Sequence, residues 1–503
     1  MSEHKGLILR GSMLRAVTLF VNIAVAFYMM PFIIHSIGDR WYGMWTLVAT
    51  FIGYYGYLDF GLSISTQRFI AGAIGRKDED EINKLVTTSF FLFIAFGIVS
   101  LAITLLIAFC APLFFTDPIE IRTFQTVLLI LGLNVVFTLA MAPINGLMTG
   151  HLRFDLTTYI NLGKLIIRTV LIVYFIKAGY SIIALAVISL LADSGGNIAK
   201  ILIARKIFSG IRIQRRFYVR ERIGELFAYG GKTFVNQIAD LLRFQVDHLV
   251  IAAFIHLSAV TLFNVASQLV YYLRTLVEAF MGVLVPVFAR YQAAQDKAAV
   301  TRVYYFTSKL SAGISVLLGG AMIIFGKVFI TLWMGPAYVD AYALVVVLSI
   351  PTMLFIAQQP AIAMMYGLGA VGPLAKVSVI EAVSNLVLSL ILVGPYGLTG
   401  VALGTAIPLT FFSFFLVVYS GRLAAGSLWE YFRHVGPVFL VGAVLQAVAW
   451  FIVSRVAITG YIDILLLLLA IYPVLLLVMM YLTFSSRELR LIRETGQRAL
   501  GMA

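Results

Sequence analysis

Lys164 and Arg168 stand in the middle of an apolar run from 156 to 177. Residues four apart in a helix share a face. Charge at such a position in a membrane span is expensive and as a rule faces a polar interior. No acid stands at helical spacing from either cation within the run. Two unneutralised cations at mid-depth would attract an anionic ligand. The competing reading is that Asp193, on the following run at comparable depth, neutralises one of them. Asp240, Arg243 and Asp247 follow at spacings of three and four, a single stripe that either neutralises itself or takes part in gating or substrate contact. Arg274 and Glu278 repeat the four-residue spacing. Glu381 is the acid of a later run, and reads either as the carrier of a coupling proton or as the partner of a neighbouring group. Asp59 and Arg68, nine residues apart, are too far along one helix for a local pair. Asp59 reads as a gating group or a helix cap. Arg10, Arg15 and Arg68 read as lining a cytoplasmic mouth or as topological anchors.

Composition bounds the chemistry. The chain has 503 residues, of which 61% are hydrophobic and 12% charged. Soluble domains carry about 25% charged residues, so this is expected to be an all-α polytopic membrane protein. The net charge of +14 is carried mainly on loops, which points to membrane topology rather than to nucleic acid. A single cysteine, Cys110, excludes a disulfide within the chain and a cysteine metal cluster. The six histidines lack ligand spacing, and no metal or cofactor is expected. Gly230-Gly231-Lys232-Thr233 is not a phosphate-binding loop, because position 226 is Leu where that motif needs Gly, and no strand precedes it.

The elements that must position these charges are about 14 apolar segments, each long enough to span. They fall at 13–36, 41–65, 85–111, 123–148, 156–177, 180–204, 230–255, 258–285, 304–326, 341–366, 373–394, 397–420, 435–457 and 461–484. Placing both termini in the cytoplasm leaves only Arg40, Arg122, Lys177, Lys327 and Arg455 in the outside loops, as the positive-inside rule requires. The basic stretch 205–229 interleaves seven cations with apolar residues, which suits either an amphipathic helix on an anionic leaflet or a plain linker. On either side of it the chain repeats. Pro143 precedes Gly150 by seven positions and Pro360 precedes Gly367 by seven, while the segment from Gly179 resembles that from Gly397. The expected organisation is a six-helix lobe at 1–204, a basic cytoplasmic linker at 205–229, a second six-helix lobe at 230–420, two extra helices within 421–484, and a tail at 485–503. Paired lobes with a site between them are a transporter architecture.

Tyr42-Gly43-Met44-Trp45, followed by Tyr57-Leu58-Asp59-Phe60-Gly61-Leu62 and Arg68, resembles the first hairpin of Wzx-type oligosaccharide flippases, the polysaccharide biosynthesis proteins of the multidrug/oligosaccharidyl-lipid/polysaccharide exporter superfamily. The resemblance implies a MATE-like fold in the bacterial inner membrane. It also implies alternating access for undecaprenyl-pyrophosphate-linked oligosaccharide, serving O-antigen, capsule or exopolysaccharide assembly. The pyrophosphate would be held by Lys164, Arg168, Arg243 and Arg274. Gating or ion coupling would fall to Asp59, Arg68, Asp193, Asp240, Asp247, Glu278 and Glu381, with Arg10 and Arg15 at the cytoplasmic mouth. Expected partners are the lipid-linked substrate, membrane lipids, and the polymerase and other assembly proteins. An ion-coupled drug or cation antiporter of the same superfamily is the alternative. A membrane polymerase fits less well, because outside loops of about 3–15 residues leave no room for a catalytic domain.

Overall fold

In a computed structural model, the structure describes residues 2–151, 153–208, 210–281, 283–424 and 427–499. All regular elements among them are helices. The chain divides into two compact units, 1–261 and 262–503. The first unit contains α1 (Ser2–Ile37), α2 (Asp39–Tyr55), α3 (Leu62–Gly75), α4 (Glu79–Phe109), α5 (Pro118–Ala140), α6 (Ala142–Gly150), α7 (Phe154–Lys177), α8 (Ile182–Ile207) and α9 (Glu221–Phe254). Then come α10 (Leu257–Met281), whose first turn belongs to the first unit, α11 (Leu284–Ala293), α12 (Lys297–Met334), α13 (Ala341–Ala357), α14 (Gln359–Gly367), α15 (Val371–Leu423), α16 (Leu428–Val453), α17 (Tyr461–Thr483) and α18 (Ser486–Ala499).

Ten helical stretches among the described residues are long and apolar enough to cross a membrane. The remaining segments, α2 with α3, α9, α10 with α11, and the second arm of α15, make the architecture consistent with the fourteen read from the sequence. Apolar side chains on the outer helices, such as Leu440, Leu466 and Tyr481, are largely exposed. That is the surface a lipid solvent selects.

The internal repeat is built into the backbone. α5 breaks at Met141 and α6 restarts with Pro143 in its first turn; α13 breaks at Gln358 and α14 restarts with Pro360 in the same place. Proline lacks the N–H that helix continuation needs, but is tolerated in a first turn. The short helices then pack alike, α6 on α3 and α14 on α11. Gly179 turns the chain between α7 and α8 with φ 87°, and Gly397 turns it between the two arms of α15 with φ 55°. Only glycine adopts that region without strain.

Three expectations change. The second span is not a continuous helix over 41–65: α2 ends at Tyr55, and α3 begins at Leu62 after Phe60 (φ 51°) and Gly61 (φ 74°), both left-handed. The linker is not an amphipathic helix. Beyond α8 it runs mostly without helix, with one 3-10 turn at Arg215–Phe217, until α9 begins at Glu221. Its backbone is tied to α4. Asn83 donates to Gly210 O and accepts from Arg212 N, Thr87 donates to Arg212 O, and Val219 N donates to Thr88 Oγ1. Finally, α9 packs on α2, α3 and α4 and belongs to the first compact unit. The reason lies in contact chemistry. Ser65 Oγ donates to Leu226 O at 2.7 Å, and the Phe60 ring lies 4.7 Å from that of Phe234.

Candidate functional site

The first-unit charges converge between α5, α7 and α8. Lys164 Nζ on α7 donates to Asp193 Oδ1 on α8 at 2.8 Å, and Asn134 Nδ2 on α5 donates to Asp193 Oδ2 at 2.7 Å. The alternative raised by the sequence, that Asp193 neutralises one of the two cations, is what the geometry shows for Lys164. The close approach of α8 depends on Gly196, where a Cβ would stand 3.3 Å from Lys164 Cδ. Arg168 lies one turn beyond Lys164 and near enough for its charge to act on Asp193.

A third cation completes the cluster. Lys200 is only 8% exposed, and its charge interacts with both Lys164 and Asp193. Sequence reasoning missed it because it precedes Arg205 and Lys206 and blends into a basic helix end. The recoverable signal was spacing: Asp193, Asn197 and Lys200 stand at i, i+4 and i+7, one face of α8. Three cations against one carboxylate leave an excess of two positive charges. The nearby amides carry unused capacity, since Asn134 Oδ1 and Asn197 Nδ2 are buried without a hydrogen-bond partner. A buried unmatched polar atom is costly, so the cluster is incomplete as a purely structural device.

The other candidates take different places. Asp59 is buried at the α2–α3 break, where Oδ1 accepts from Gly61 N at 2.8 Å and Oδ2 from Ser63 N at 3.2 Å. It acts as the cap of α3, while Arg68 is exposed on the same helix. Asp247 is buried on α9 within electrostatic reach of Tyr54 on α2. The side chains of Arg10, Arg15, Asp240 and Arg243 lie outside the described residues.

In the second unit, Arg274 pairs with Glu278 at 3.2 Å, and Gln359 Nε2, at the α13–α14 break, donates to Glu278 Oε1 at 3.2 Å. Arg274 therefore carries a charge already matched by its neighbour one turn away. Glu381, the repeat counterpart of Lys164, is 3% exposed. Along its face of α15 follow Asn385 and Ser389, with Asn385 donating to Thr405 on the second arm at 3.3 Å. The two units thus carry unlike charge at equivalent positions.

Two helical repeats, apolar outer faces and buried charge define a polytopic membrane protein with the fold of the MATE transporters and MurJ. The structure is similar to that of the lipid II flippase MurJ in an inward closed conformation, with TM-score 0.72 and 13% identity, covering 92% of this chain and 97% of that one. An inward-facing multidrug resistance MATE family transporter of the MOP superfamily gives TM-score 0.70 at 16% identity, covering 81% and 94%. Residues 42–343 match the family model described as Polysaccharide biosynthesis protein, and the chain belongs to that family. A relative, the uncharacterized membrane protein EpsK of Bacillus subtilis (strain 168), is 24% identical over 461 residues, covering 88% of each chain.

Proposed function

We propose that this protein is a flippase carrying undecaprenyl-pyrophosphate-linked oligosaccharide from the cytoplasmic to the outer leaflet of the bacterial inner membrane, for surface polysaccharide assembly. The carrying observation is the cluster of Lys164, Arg168 and Lys200 around the single carboxylate of Asp193 inside an apolar unit. A diphosphate is the ligand that such an excess favours, because phosphate oxygens accept several charge-assisted hydrogen bonds at once. Membership of the polysaccharide biosynthesis family supports a glycan cargo. The fold is that of a protein described as a lipid II flippase.

Binding works by exchange. Lys164 arrives held by Asp193, so the ligand competes with an internal carboxylate rather than with water alone. The competition keeps affinity moderate, and a carrier must release its cargo on the other side. Alternating access then moves the bound headgroup while the polyprenyl chain stays in the bilayer. No bond is made or broken, so the protein acts as a transporter and not as an enzyme. The chain lacks a nucleotide-binding motif, and the buried Glu381 on α15 is the group best placed to couple transport to a cation gradient. The same carboxylate keeps an ion-coupled antiporter as the second reading. Both termini face the cytoplasm, and the downstream partners are the polymerase and export proteins that use the flipped lipid.

The test is the double variant K164A/R168A. It should insert normally yet abolish surface glycan export, leaving lipid-linked sugar accessible only from the cytoplasmic leaflet. Normal export by a well-expressed double variant overturns the proposal.

A further inference from the structure

A cleft of about 290 Å³ opens in the first unit between α1, α6 and α7, lined by Thr18, Thr149, Phe154, Thr157, Thr158 and Asn161, four of them hydroxyl-bearing. Its lining holds no charged side chain, so it does not suit an ion, and it interleaves methyl groups and one aromatic ring with hydroxyls and an amide, the mixture that a sugar's C–H and O–H faces match. Its hydrogen-bonding groups are arranged to receive hydroxyls. Thr149 and Thr158 donate to carbonyls one turn back in their own helices, at 2.5 and 2.8 Å, leaving oxygen lone pairs as acceptors. Among the described residues, Thr157 Oγ1 reaches only Met148 Sδ at 3.9 Å, a weak acceptor. The Asn161 amide, which can both donate and accept, has no hydrogen bond among the described residues.

The position of the cleft matters as much as its lining. Thr157, Asn161, Lys164 and Arg168 stand at i, i+4, i+7 and i+11 of α7, a single stripe along the helix. Along the axis Lys164 lies about 4.5 Å beyond Asn161 and about 10 Å beyond Thr157, from a rise of 1.5 Å per residue. The hydroxyl-accepting cleft and the cation cluster are consecutive stations on one helix face. Its volume is near the small end of ligand pockets, about 300 Å³, which suits one sugar ring rather than an oligosaccharide.

We infer that this cleft is the subsite for the first sugar, the one bonded directly to the diphosphate, with Thr157 and Asn161 reading its hydroxyl or amide substituents and the Phe154 ring covering a C–H face. The inference rests on the flippase reading and assigns specificity to it. Selection then falls on the sugar that every intermediate of the pathway shares, while the rest of the glycan goes unread by α7.

The experiment measures binding of two probes to the purified full chain in nanodiscs. One is geranylgeranyl diphosphate; the other is the same lipid carrying one hexose, as a panel of glucose, galactose and N-acetylglucosamine. The wild type should prefer at least one glycosylated probe over the bare diphosphate. T157V/N161A should lose that preference, weakening the glycosylated probe about tenfold more than the bare one, as expected for one to two lost hydrogen bonds. T157S/N161Q, with an unchanged melting temperature, should restore part of it. Equal weakening of both probes overturns the inference, since the residues would then serve the anion site or the fold. A wild type that binds both probes alike removes the sugar subsite while leaving the diphosphate reading intact. A wild type that binds neither overturns the flippase reading, and the subsite with it.

Discussion

Replacing Lys200 with Met separates function from stability by opposite signs. The buried ammonium has no hydrogen bond or ion pair among the described residues, and only its interaction with Asp193 offsets its repulsion from Lys164. Methionine keeps the length and apolar stem while removing the charge. Folding should therefore benefit, because an incompletely compensated buried charge costs several kcal/mol before relaxation, and a gain of about 1 kcal/mol is expected after allowing for water penetration. Binding should suffer. A phosphate held about 6 Å from the ammonium gains about 3 kcal/mol at an effective dielectric of about 20. Taken as an upper bound, that predicts a loss of tenfold to a hundredfold in affinity for geranylgeranyl diphosphate. Thermal unfolding in detergent and ligand binding in nanodiscs read the two quantities separately. A Met variant that is less stable and binds the diphosphate unchanged would refute the reasoning, because Lys200 would then be a structural group with an unseen role in the fold.

Three further perturbations probe the frame around the site. Gly43→Ala would set a Cβ 2.1 Å from Leu257 O, and should lower stability by about 2–4 kcal/mol as overpacking against backbone, seen as a clear drop in melting temperature. Asp59→Ala removes the acceptor of two backbone N–H groups and should cost about 1–2 kcal/mol. If instead it stops transport with no change in melting temperature, Asp59 is a gate and not a cap. For Glu488 on α18, burial raises its pKa, but the Ser485 N–H and hydroxyl and the Lys309 ammonium outweigh it and hold the carboxyl below its ordinary value. A depressed carboxylate stabilises above its ordinary pKa, and that stabilisation is lost as pH falls through the folded one. Protection of the amides across 486–499, taken relative to their intrinsic exchange rate at each pH, should therefore fall as pH drops below 4.5, and Glu488→Gln should show low protection at every pH. Equal protection in both proteins would show that the Glu488 contacts do not hold α18.

The all-helical membrane class and the internal repeat were legible because hydropathy and the Pro–Gly spacing are local signals, and the breaks at Met141 and Gln358 answer to Pro143 and Pro360. The break at Asp59 was not. The apolar run continues through it, and what separates α2 from α3 is a run of turns after Tyr55 that closes on the left-handed pair Phe60 and Gly61, with the Asp59 carboxylate accepting from Gly61 N. At the site, Lys164 and Asp193 were visible as a possible pair, but not Lys200, because the sequence offers no measure of burial and a lysine near a basic helix end reads as an anchor. The linker defeated its own pattern for a related reason. Alternating basic and apolar residues suggest an amphipathic helix, but the free polar groups of α4 capture the backbone first.

That capture has a consequence for how the linker can change. The bonds from α4 reach Gly210 O, Arg212 N and O, and Val219 N, all main-chain atoms that nearly any residue supplies. The polar part of the attachment is thus specified at Asn83, Thr87 and Thr88, on the receiving helix, while the strap contributes apolar contacts through Phe208, Ile211 and Tyr218. Arg212, Arg215, Arg216 and Arg220 remain exposed to solvent or lipid headgroups, free to be exchanged one by one without loosening the path of the chain they belong to.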